Sequence, residues 1–483
     1  MFDLKLCKLK TDKDMIKFNC VKDKLSNKRI LKIYKWVFNH CCLICSEEFF
    51  MSVRKFDVVI VGGGASGLFS AVILGRMLKD KNVSIAILEK AQRVGRKLIA
   101  TGNGTCNITN VNCSPQRYHG EDPQFVKNVI EKFTPTMACK VFSSIGVECY
   151  TREDGKVYPL SLQASSVLDC LRMEAKAYGV EEICNCAVLA IKKTKSKFII
   201  QTQMSEFEAQ YVLICTGGAA SQSLGGCCDG YSLLTDLGHT KTPLFPSIVQ
   251  IKTDTEYVKS LKGIRINGKV SFLKNDNEVA TESGEILFTE YGISGPAVMQ
   301  ISRCVGEWER KKKEKMYVKL DLMEKFNLDE LTDILLKRKN ISERLLEDFL
   351  TGFLNKRLGQ TLIKASGLGP LSKSSETLDK QALKKLSNMI KGWKLEVYGT
   401  QGLSGAQVTA GGILTSDFDC STMMSKKIPC LYAAGEVLDV DGDCGGFNLQ
   451  WAWSSSYAMC KDIVQRIEGI KEVDFYSRLI KYI

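Results

Sequence analysis

The sequence has few histidines and no long hydrophobic run. Three histidines among 483 residues leave little basis for a histidine-ligated metal site or a Ser-His-Asp triad. No segment reaches the ~18 uninterrupted apolar residues that a transmembrane helix needs, and we recognise no secretory signal pattern. We therefore expect a cytoplasmic protein with no membrane partner and no bound metal.

Cysteine is abundant, but its spacing is irregular. The 20 cysteines are scattered along the chain, which is typical of reduced thiols rather than of a disulfide framework. Cys42 and Cys45 form a lone C-x-x-C pair without the second pair of ligands that a zinc site requires. The formal net charge of +13 admits an anionic partner such as RNA, although solvated surface lysines explain it more simply.

The first 50 residues differ in character from the rest. They are lysine-rich and weakly periodic, whereas MSVRKFDVVIVGGG, beginning at Met51, is a common opening of a dinucleotide-binding domain. We expect the true start at Met51 and a mis-called extension before it. A targeting segment is the alternative, but the six acidic residues of this stretch argue against a transit peptide.

Strand-like and helix-like segments alternate from Phe56 onward. This order predicts a mostly parallel sheet with helices on both faces. Between Pro246 and about Thr400 short strands and then helical periodicity appear, which indicates an insert within the α/β domain. The expected boundaries are 1–50 for the extension, 51–245 and 401–483 for the two parts of the α/β domain, 246–325 for the β-rich insert and 326–400 for the helical insert.

Gly62, Gly64 and Gly67 form a G-x-G-x-x-G motif between the first strand and its helix. The first glycine permits a tight turn, the second the approach of a pyrophosphate, and the third close helix packing. The helix start also offers N–H groups and a positive dipole end to a phosphate. Glu89 lies 22 residues past Gly67, where a carboxylate accepts hydrogen bonds from ribose hydroxyls. Together these features predict a dinucleotide site.

The later segments indicate which dinucleotide binds. Glu89 disfavours a 2′-phosphate, because two like charges would meet, and this leaves FAD or NAD. YVLICTGG supplies a second strand and glycine turn. The segment from Ile428 to Ala458, which we call the late segment, combines a strand, an acidic turn, a glycine pair and a helix. FAD needs such remote segments: Asp439 or Asp441 could bond its ribityl hydroxyls, and a helix from about Asn448 could face the flavin ring. We therefore expect FAD.

Four stretches resemble a known family: VVIVGGGASGL, VGRKLIATGNGTCNITN, GEILFTEYGISGPAVMQIS and the long segment from Thr409 to Ala458. The chain resembles, over about residues 55–470, the bacterial flavoproteins described as NAD(P)/FAD-dependent oxidoreductases of the bile-acid-reductase and aminoacetone-oxidase type. The resemblance implies an α/β, FAD-binding Rossmann-like domain of the two-dinucleotide-binding type. It also implies that a β-barrel-like insert and a small helical domain interrupt that domain.

The resemblance further implies which residues surround FAD. The glycine turn and Glu89 hold the ADP part. The loop TGNGTCN (Thr101 to Asn107), which we call the middle loop, lies beside the pyrophosphate and flavin, and the late segment surrounds the ribityl chain and ring. With the second glycine turn, the expected cofactor-binding residues are Gly62, Gly63, Gly64, Ala65, Ser66, Gly67, Glu89, Lys90, Arg96, Lys97, Thr101, Gly102, Asn103, Cys106, Asn107, Thr216, Gly217, Gly218, Gly435, Glu436, Asp439, Gly445, Gly446, Phe447, Asn448 and Gln450.

Two positions depart from the family pattern. The family often has arginine where Thr105 stands and histidine where Glu290 stands, so the choice of substrate here differs if either residue contacts it. The sequence identifies no general acid or base outright. Glu290, Tyr291 and Ser294 are the candidate catalytic residues.

The G-T-C stretch that contains Cys106 resembles the place of a redox-active cysteine in glutathione-reductase-like enzymes. Those enzymes have the partner cysteine five residues on, where this chain has Val111; the next cysteine is Cys113. Thiol exchange needs two correctly placed sulfurs. We therefore favour a packing or flavin-lining cysteine over a catalytic disulfide.

These observations predict an FAD-dependent oxidoreductase in which hydride passes between NAD(P)H or an organic substrate and an acceptor through flavin N5. No second G-x-G-x-x-G is present, so NAD(P)H binds transiently or another donor replaces it. The resemblance leaves three reactions open: reduction of a carbon–carbon double bond in a small molecule, oxidation of a small amine, and reduction of uridine in ribosomal RNA. The basic segments ERKKKEK, LLKRKN and FLNKRLG could contact such an RNA. A flavin-binding sensor without turnover is the alternative of another class.

Overall fold

A computed structural model describes residues 53–203, 205–311, 315–341, 344–469 and 474–481. The Cys42–Cys45 pair, the expected start at Met51 and the middle of the ERKKKEK segment lie outside these ranges. The chain from Arg54 onward forms one unit, which is the part described below.

The strands of this unit fall into a central sheet, a barrel and short pairs. They are β1 Arg54–Val61, β2 Ile85–Leu88, β3 Thr109–Asn110, β4 Tyr118–His119, β5 Cys149–Thr151, β6 Lys156–Pro159, β7 Glu181–Ile183, β8 Val188–Lys193, β9 Phe198–Thr202, β10 Glu206–Ile214, β11 Phe245–Ser247, β12 Ile251–Thr253, β13 Arg265–Lys274, β14 Asn277–Phe288, β15 Gly292–Ser294, β16 Met316–Asp321, β17 Trp393–Thr400, β18 Val408–Ala410, β19 Leu431–Ala433 and β20 Asp441–Gly442.

The helices range from a single turn to a helix of 22 residues. They are α1 Ala65–Leu78, α2 Pro123–Ile130, α3 Pro135–Ser144, α4 Ala164–Ala177, α5 Asp229–Asp236, α6 Pro296–Lys311, α7 Leu328–Lys339, α8 Leu346–Phe349, α9 Lys356–Ala365, α10 Lys380–Lys391, α11 Gly402–Gly405, α12 Phe447–Glu468 and α13 Phe475–Ile480. In the described ranges no helix combines the length and the apolar character that crossing a bilayer requires.

The central sheet has the order β7-β2-β1-β10-β9-β8. β1, β2, β7 and β10 are parallel, and β19 joins the second half of β10 in the same direction. β9 and β8 extend the edge as an antiparallel pair. All four residues of β2 are buried, as expected for a parallel strand covered on both faces. The predicted mostly parallel sheet is confirmed.

Helix α1 lies in the centre of the α/β domain. Thirteen of its residues are buried, and it packs against α4 and against α12 from the late segment. One hydrophobic core therefore contains residues from both ends of this unit, from Val58 to Leu234 and again from Ile413 to Leu479. The late segment returns to the domain that the first glycine turn begins.

The intervening chain builds a closed antiparallel barrel in the order β12-β15-β14-β13-β16-β17. Its residues alternate between buried and partly exposed positions, as in β16, because successive side chains of a strand point to opposite faces. The helices α7 to α10 share a second hydrophobic core with the barrel, between Ile251 and Val397. The β-barrel-like and helical inserts are confirmed, while their expected boundaries stay a prediction.

Candidate cofactor and active site

A cavity of about 700 Å³ lies where β1, β2 and β10 end and the barrel begins; we call it the main cavity. Its size is in the upper part of the ~300–1,000 Å³ typical of small-molecule sites. Ligands of open α/β sheets bind outside the carboxyl ends of the strands. The predicted cofactor residues in its wall are Gly62, Gly63, Gly64, Ala65, Ser66, Glu89, Lys90, Arg96, Lys97, Thr101, Gly102, Asn103, Asn107, Thr216, Gly217, Gly218, Glu436, Gly445, Gly446 and Asn448.

The first glycine turn is held by close backbone contacts. Gly62 has φ of 103°, which an L side chain rarely adopts. A Cβ on Gly67 would lie 2.0 Å from the carbonyl oxygen of Gly62, so only glycine permits this approach of helix and strand. Gly64 precedes α1 without a side-chain cap, which leaves the first N–H groups of the helix for an anion.

The Glu89 carboxylate is oriented by backbone donors. Its Oε2 accepts from the N–H of Gly63 at 2.9 Å, and its Oε1 accepts from the N–H of Ala91 at 2.8 Å. Each carboxylate oxygen has a second lone pair, which remains for a ribose hydroxyl. The predicted acidic residue therefore lies in the cavity wall directly beside the glycine turn.

An ion pair joins the early and late segments at the cavity. The Nζ of Lys97 lies 2.6 Å from Oε2 of Glu436, whose Oε1 accepts from the N–H of Thr409 at 2.9 Å. Lys97 precedes a tight segment in which Gly102 and Asn103 are left-handed. The loop and the late segment, far apart in the sequence, thus form adjoining parts of one wall.

The second glycine pair precedes α12. Gly446 has φ of 101°, and a Cβ there would lie 2.6 Å from the carbonyl oxygen of Thr109. The Nδ2 of Asn110 donates to the carbonyl of Gly445 at 2.9 Å. The turn is therefore fixed against β3, and the start of α12 faces the cavity through Asn448.

Two buried polar atoms of the wall test whether the site fits FAD. Among the described residues, Oδ1 of Asn107 and Oγ1 of Thr216 have no hydrogen-bond partner. Buried polar groups are almost always paired. A ligand rich in hydroxyl, carbonyl and N–H groups supplies the missing partners, and FAD is such a ligand. The residues present fit the cofactor.

Several predicted cofactor residues lie outside the cavity wall. They are Gly67, Cys106, Gly435, Asp439, Phe447 and Gln450. Gln450 is buried and bonds to Thr109 and Phe133. Cys106 is fully buried, and burial raises the pKa of its thiol to about 11. Cys106 is a free thiol, as is Cys113.

The acidic turn does not line the main cavity, as a contact with the ribityl chain of FAD would require. Asp439 and Asp441 are buried away from the main cavity. Asp441 forms an ion pair with Arg303 of α6, Nε to Oδ2 at 2.9 Å. Burial raises the pKa of Asp439 to about 6, with the charge of Asp441 adding to the effect.

Of the three candidate catalytic residues, only Ser294 lines the main cavity. Glu290 is exposed and lies 2.6 Å from the Nζ of Lys262, which lowers the pKa of its carboxyl. Tyr291 is half-buried immediately before β15 and is absent from the cavity wall. The structure does not bring Glu290 and Tyr291 to the cavity.

The cavity wall also contains residues that the sequence analysis missed. Arg265 of β13 and Glu285 of β14 form a diagonal ion pair, Nη1 to Oε1 at 2.7 Å. Lys156 and Tyr158 lie on one face of β6, on either side of the buried Val157. The alternation in KVYP could have indicated that shared face, but no local pattern indicates that it meets the glycine loops.

Comparison with known proteins agrees with this site. The family model described as HI0933-like protein Rossmann domain matches residues 56–462. The chain is 36% identical over 414 residues to the 3-dehydro-bile acid delta(4,6)-reductase of Clostridium scindens, covering 84% of this chain and 98% of that one. It is 29% identical over 412 residues to the ribosomal RNA dihydrouridine synthase of Haemophilus influenzae, covering 84% and 98%.

Among solved structures, the open conformation of a flavocytochrome c3 fumarate reductase is similar, with 14% identity, coverage of 92% of this chain and 81% of that one, and a TM-score of 0.43. The family match spans most of the chain, and the match to the reductase from Clostridium scindens covers 98% of the reductase at 36% identity. The chain therefore belongs to the HI0933-like protein Rossmann domain family, as the resemblance predicted, and is an FAD-dependent oxidoreductase.

Proposed function

We propose that the protein reduces a carbon–carbon double bond conjugated to a carbonyl group in a small organic molecule, with NAD(P)H as the electron donor. The observation that carries the proposal is that one cavity, the main cavity, is lined both by the glycine turn and by residues of the barrel. A cofactor and a substrate can therefore lie in contact within one enclosure. Bound FAD would supply hydride chemistry at this junction.

The barrel side of the cavity has the composition of a small-molecule site. Ile248, Leu287 and Met299 provide apolar surface, while Arg265 and Glu285 provide a paired polar group. Small-molecule sites combine a mostly apolar lining with a few oriented polar groups. The apolar residues would exclude water from the reacting carbons, and the pair would orient a polar end of the substrate.

The names of two relatives support the type of reaction. One is a delta(4,6)-reductase of a 3-dehydro bile acid and the other a dihydrouridine synthase. Both names describe the saturation of a carbon–carbon double bond. The relative named for a small molecule is the more similar of the two, at 36% against 29% identity.

Four basic side chains of the segments LLKRKN and FLNKRLG have partners within the protein, which favours a small molecule over RNA. Arg338 and Lys339 donate to backbone carbonyls of nearby loops. Lys356 forms an ion pair with Asp348 at 2.9 Å, and Arg357 donates to a backbone carbonyl at 3.2 Å. These four described side chains are engaged by other groups of the protein, so they do not form a row of free cations for phosphates.

The test separates the two half-reactions of the FAD-loaded protein. Under anaerobic conditions, NADPH or NADH is added and the flavin absorbance is followed; then a 3-dehydro-4-ene bile acid or an unmodified ribosomal RNA transcript is added. We expect rapid bleaching by the nicotinamide and recovery with the bile acid, whose product has gained two hydrogens. Recovery with RNA alone, or bleaching without recovery by either probe, would overturn the small-molecule proposal in favour of an RNA substrate or a sensor.

A further inference from the structure

Saturating a double bond requires a proton as well as a hydride, and the three residues selected from sequence do not supply an evident donor. Resting on the proposed function, we propose that Tyr158 is the proton donor of this reaction. Tyr158 belongs to β6 and lines the main cavity. It is a further catalytic residue, which neither the motifs nor the names of the relatives indicate.

Tyr158 lies beside one loop of the cavity wall, and its neighbour on the same face of β6 lies beside another. Its Cε1 lies 3.5 Å from where a Cβ of Gly102 would stand, in the middle loop. Lys156, two residues earlier on the same face of β6, has its Cε 3.5 Å from the corresponding point at Gly445. The face of β6 therefore spans from the middle loop to the glycine pair before α12.

Three other proton-bearing groups of the cavity wall, on Lys156, Glu285 and Ser294, are paired or poorly suited. The Nζ of Lys156 lies 2.8 Å from Asp154, and Glu285 is held by Arg265. The hydroxyl of Ser294 is an aliphatic alcohol and a far weaker acid than a phenol. In the described chain the Tyr158 hydroxyl has no hydrogen-bond partner, and its side chain is half-buried at the cavity. A phenol in that state is free to bond to a substrate.

The charges around Tyr158 suit a donor that must lose its proton briefly. Burial raises the pKa of its hydroxyl, so the group is protonated at neutral pH, while Lys156 and Arg152 act in the opposite direction. The Arg152 guanidinium lies 5.7 Å from the ring centre. The two cations would stabilise the phenolate formed on donation, against the smaller opposing effects of Asp154 and Tyr150.

The step balances with the donors already named. One carbon of the double bond receives a hydride, whose electron pair derives from NAD(P)H by way of the cofactor. At the neighbouring carbon a C–H bond forms as the O–H bond of Tyr158 breaks. The substrate gains two electrons and two hydrogens, NAD(P)H is oxidised, and the phenolate takes a proton from water.

The test compares Tyr158→Phe with Tyr150→Phe. Tyr150 is the cross-strand partner of Tyr158, with ring centres 6.2 Å apart, and it does not line the cavity. Each FAD-loaded variant is reduced by NADPH and then mixed with the 3-dehydro-4-ene bile acid or with oxygen. We expect Tyr158→Phe to slow recovery with the bile acid at least ~100-fold, with unchanged flavin content, unchanged reduction by NADPH and unchanged recovery with oxygen. Tyr150→Phe should match the wild type.

The pH profile and a third variant complete the design. The wild-type recovery rate should fall at high pH as the phenol loses its proton, and this limb should be absent in Tyr158→Phe. The third variant is Cys444→Ala, because the thiol of Cys444 in the cavity wall is a rival proton donor. Equal rates for wild type and Tyr158→Phe, or a comparable loss only in Cys444→Ala, would refute the assignment. If the wild type itself fails to react with the bile acid, the proposed function fails instead, which is a separate result.

Discussion

Arg303 on α6 holds the fully buried carboxylate of Asp441 through two contacts, Nε to Oδ2 at 2.9 Å and Nη2 to Oδ1 at 3.2 Å. The pair joins α6, which lies between the barrel strands β15 and β16, to β20, which precedes α12. Burial raises the pKa of Asp441, and the guanidinium opposes that effect. The acidic turn thus has a structural partner that connects two parts of the fold.

Removing the guanidinium should destabilise the protein strongly. Arg303→Met leaves the Asp441 carboxylate buried and unpaired, which we expect to lower the free energy of unfolding in urea by about 3–5 kcal/mol. The control is Lys262→Met, whose pair with Glu290 is exposed on both sides and should change stability by less than about 1 kcal/mol. Equal effects of the two substitutions would contradict this account.

Two substitutions in the glycine motif should affect different properties, one the stability of the apoprotein and the other the binding of FAD. In Gly67→Ala the new Cβ meets the Gly62 carbonyl at 2.0 Å, so we expect the apoprotein to lose about 1–3 kcal/mol of stability. At Gly64 no atom lies within 4 Å of the added Cβ, and the residue lines the cavity. Gly64→Ala should change apoprotein stability by less than about 1 kcal/mol yet weaken FAD binding at least ~10-fold. Thermal unfolding and fluorescence titration measure the two effects.

Removing the unpaired hydroxyl of Thr216 should raise the stability of the apoprotein and weaken FAD binding. Thr216→Val removes a buried donor that has no described protein partner, so apoprotein stability should rise by about 1 kcal/mol. If the hydroxyl bonds to FAD, the same substitution should weaken FAD binding roughly 5- to 10-fold. Thr235→Val, at an exposed position of α5, is the matched control. Unchanged FAD affinity in Thr216→Val would show that the hydroxyl does not contact the cofactor.

Asp439 should make stability depend on pH. Its pKa of about 6 in the folded protein lies above the ordinary value of 3.8, so the folded state binds the proton more tightly. Stability from this group is therefore present below the lower value and is lost as pH rises towards 6. Relative to wild type, Asp439→Asn should gain about 3 kcal/mol between about pH 3 and pH 8. Urea unfolding measures this, with exposed Asp236→Asn as the control; a pH-independent difference would disprove the linkage.

Much of the α/β domain was predictable because its signals are local. The continuous apolar runs of β1 and β2 predict buried parallel strands, and the spacing of Gly62, Gly64 and Gly67 follows from one turn between a strand and a helix. Glu89 lies at the end of the next strand, and the structure places it against that turn. Each of these inferences concerns residues that are close in sequence or joined by one crossover.

The partners of the acidic turn and the barrel side of the main cavity could not be predicted in the same way. Asp439 and Asp441 are polar residues beside a glycine pair, which suggested a ligand contact, but Arg303, 138 residues earlier, takes the Asp441 carboxylate. Glu290 and Tyr291 belong to a recognised motif, yet only Ser294 of that segment reaches the main cavity. The folding of the barrel determines which side of each strand faces the α/β domain, and no local period encodes that.

The sequence alone determined the glycine turn, the acidic residue at the end of β2, the parallel sheet and the presence of an insert, because glycine conformation and hydrophobic period act over a few residues. Only the tertiary structure decided that Lys97 pairs with Glu436, that Arg303 neutralises Asp441, and that Tyr158 and Arg265 meet the main cavity. Those contacts depend on how the barrel and the late segment pack against the sheet, and packing brings together side chains whose separation along the chain gives no sign of their proximity.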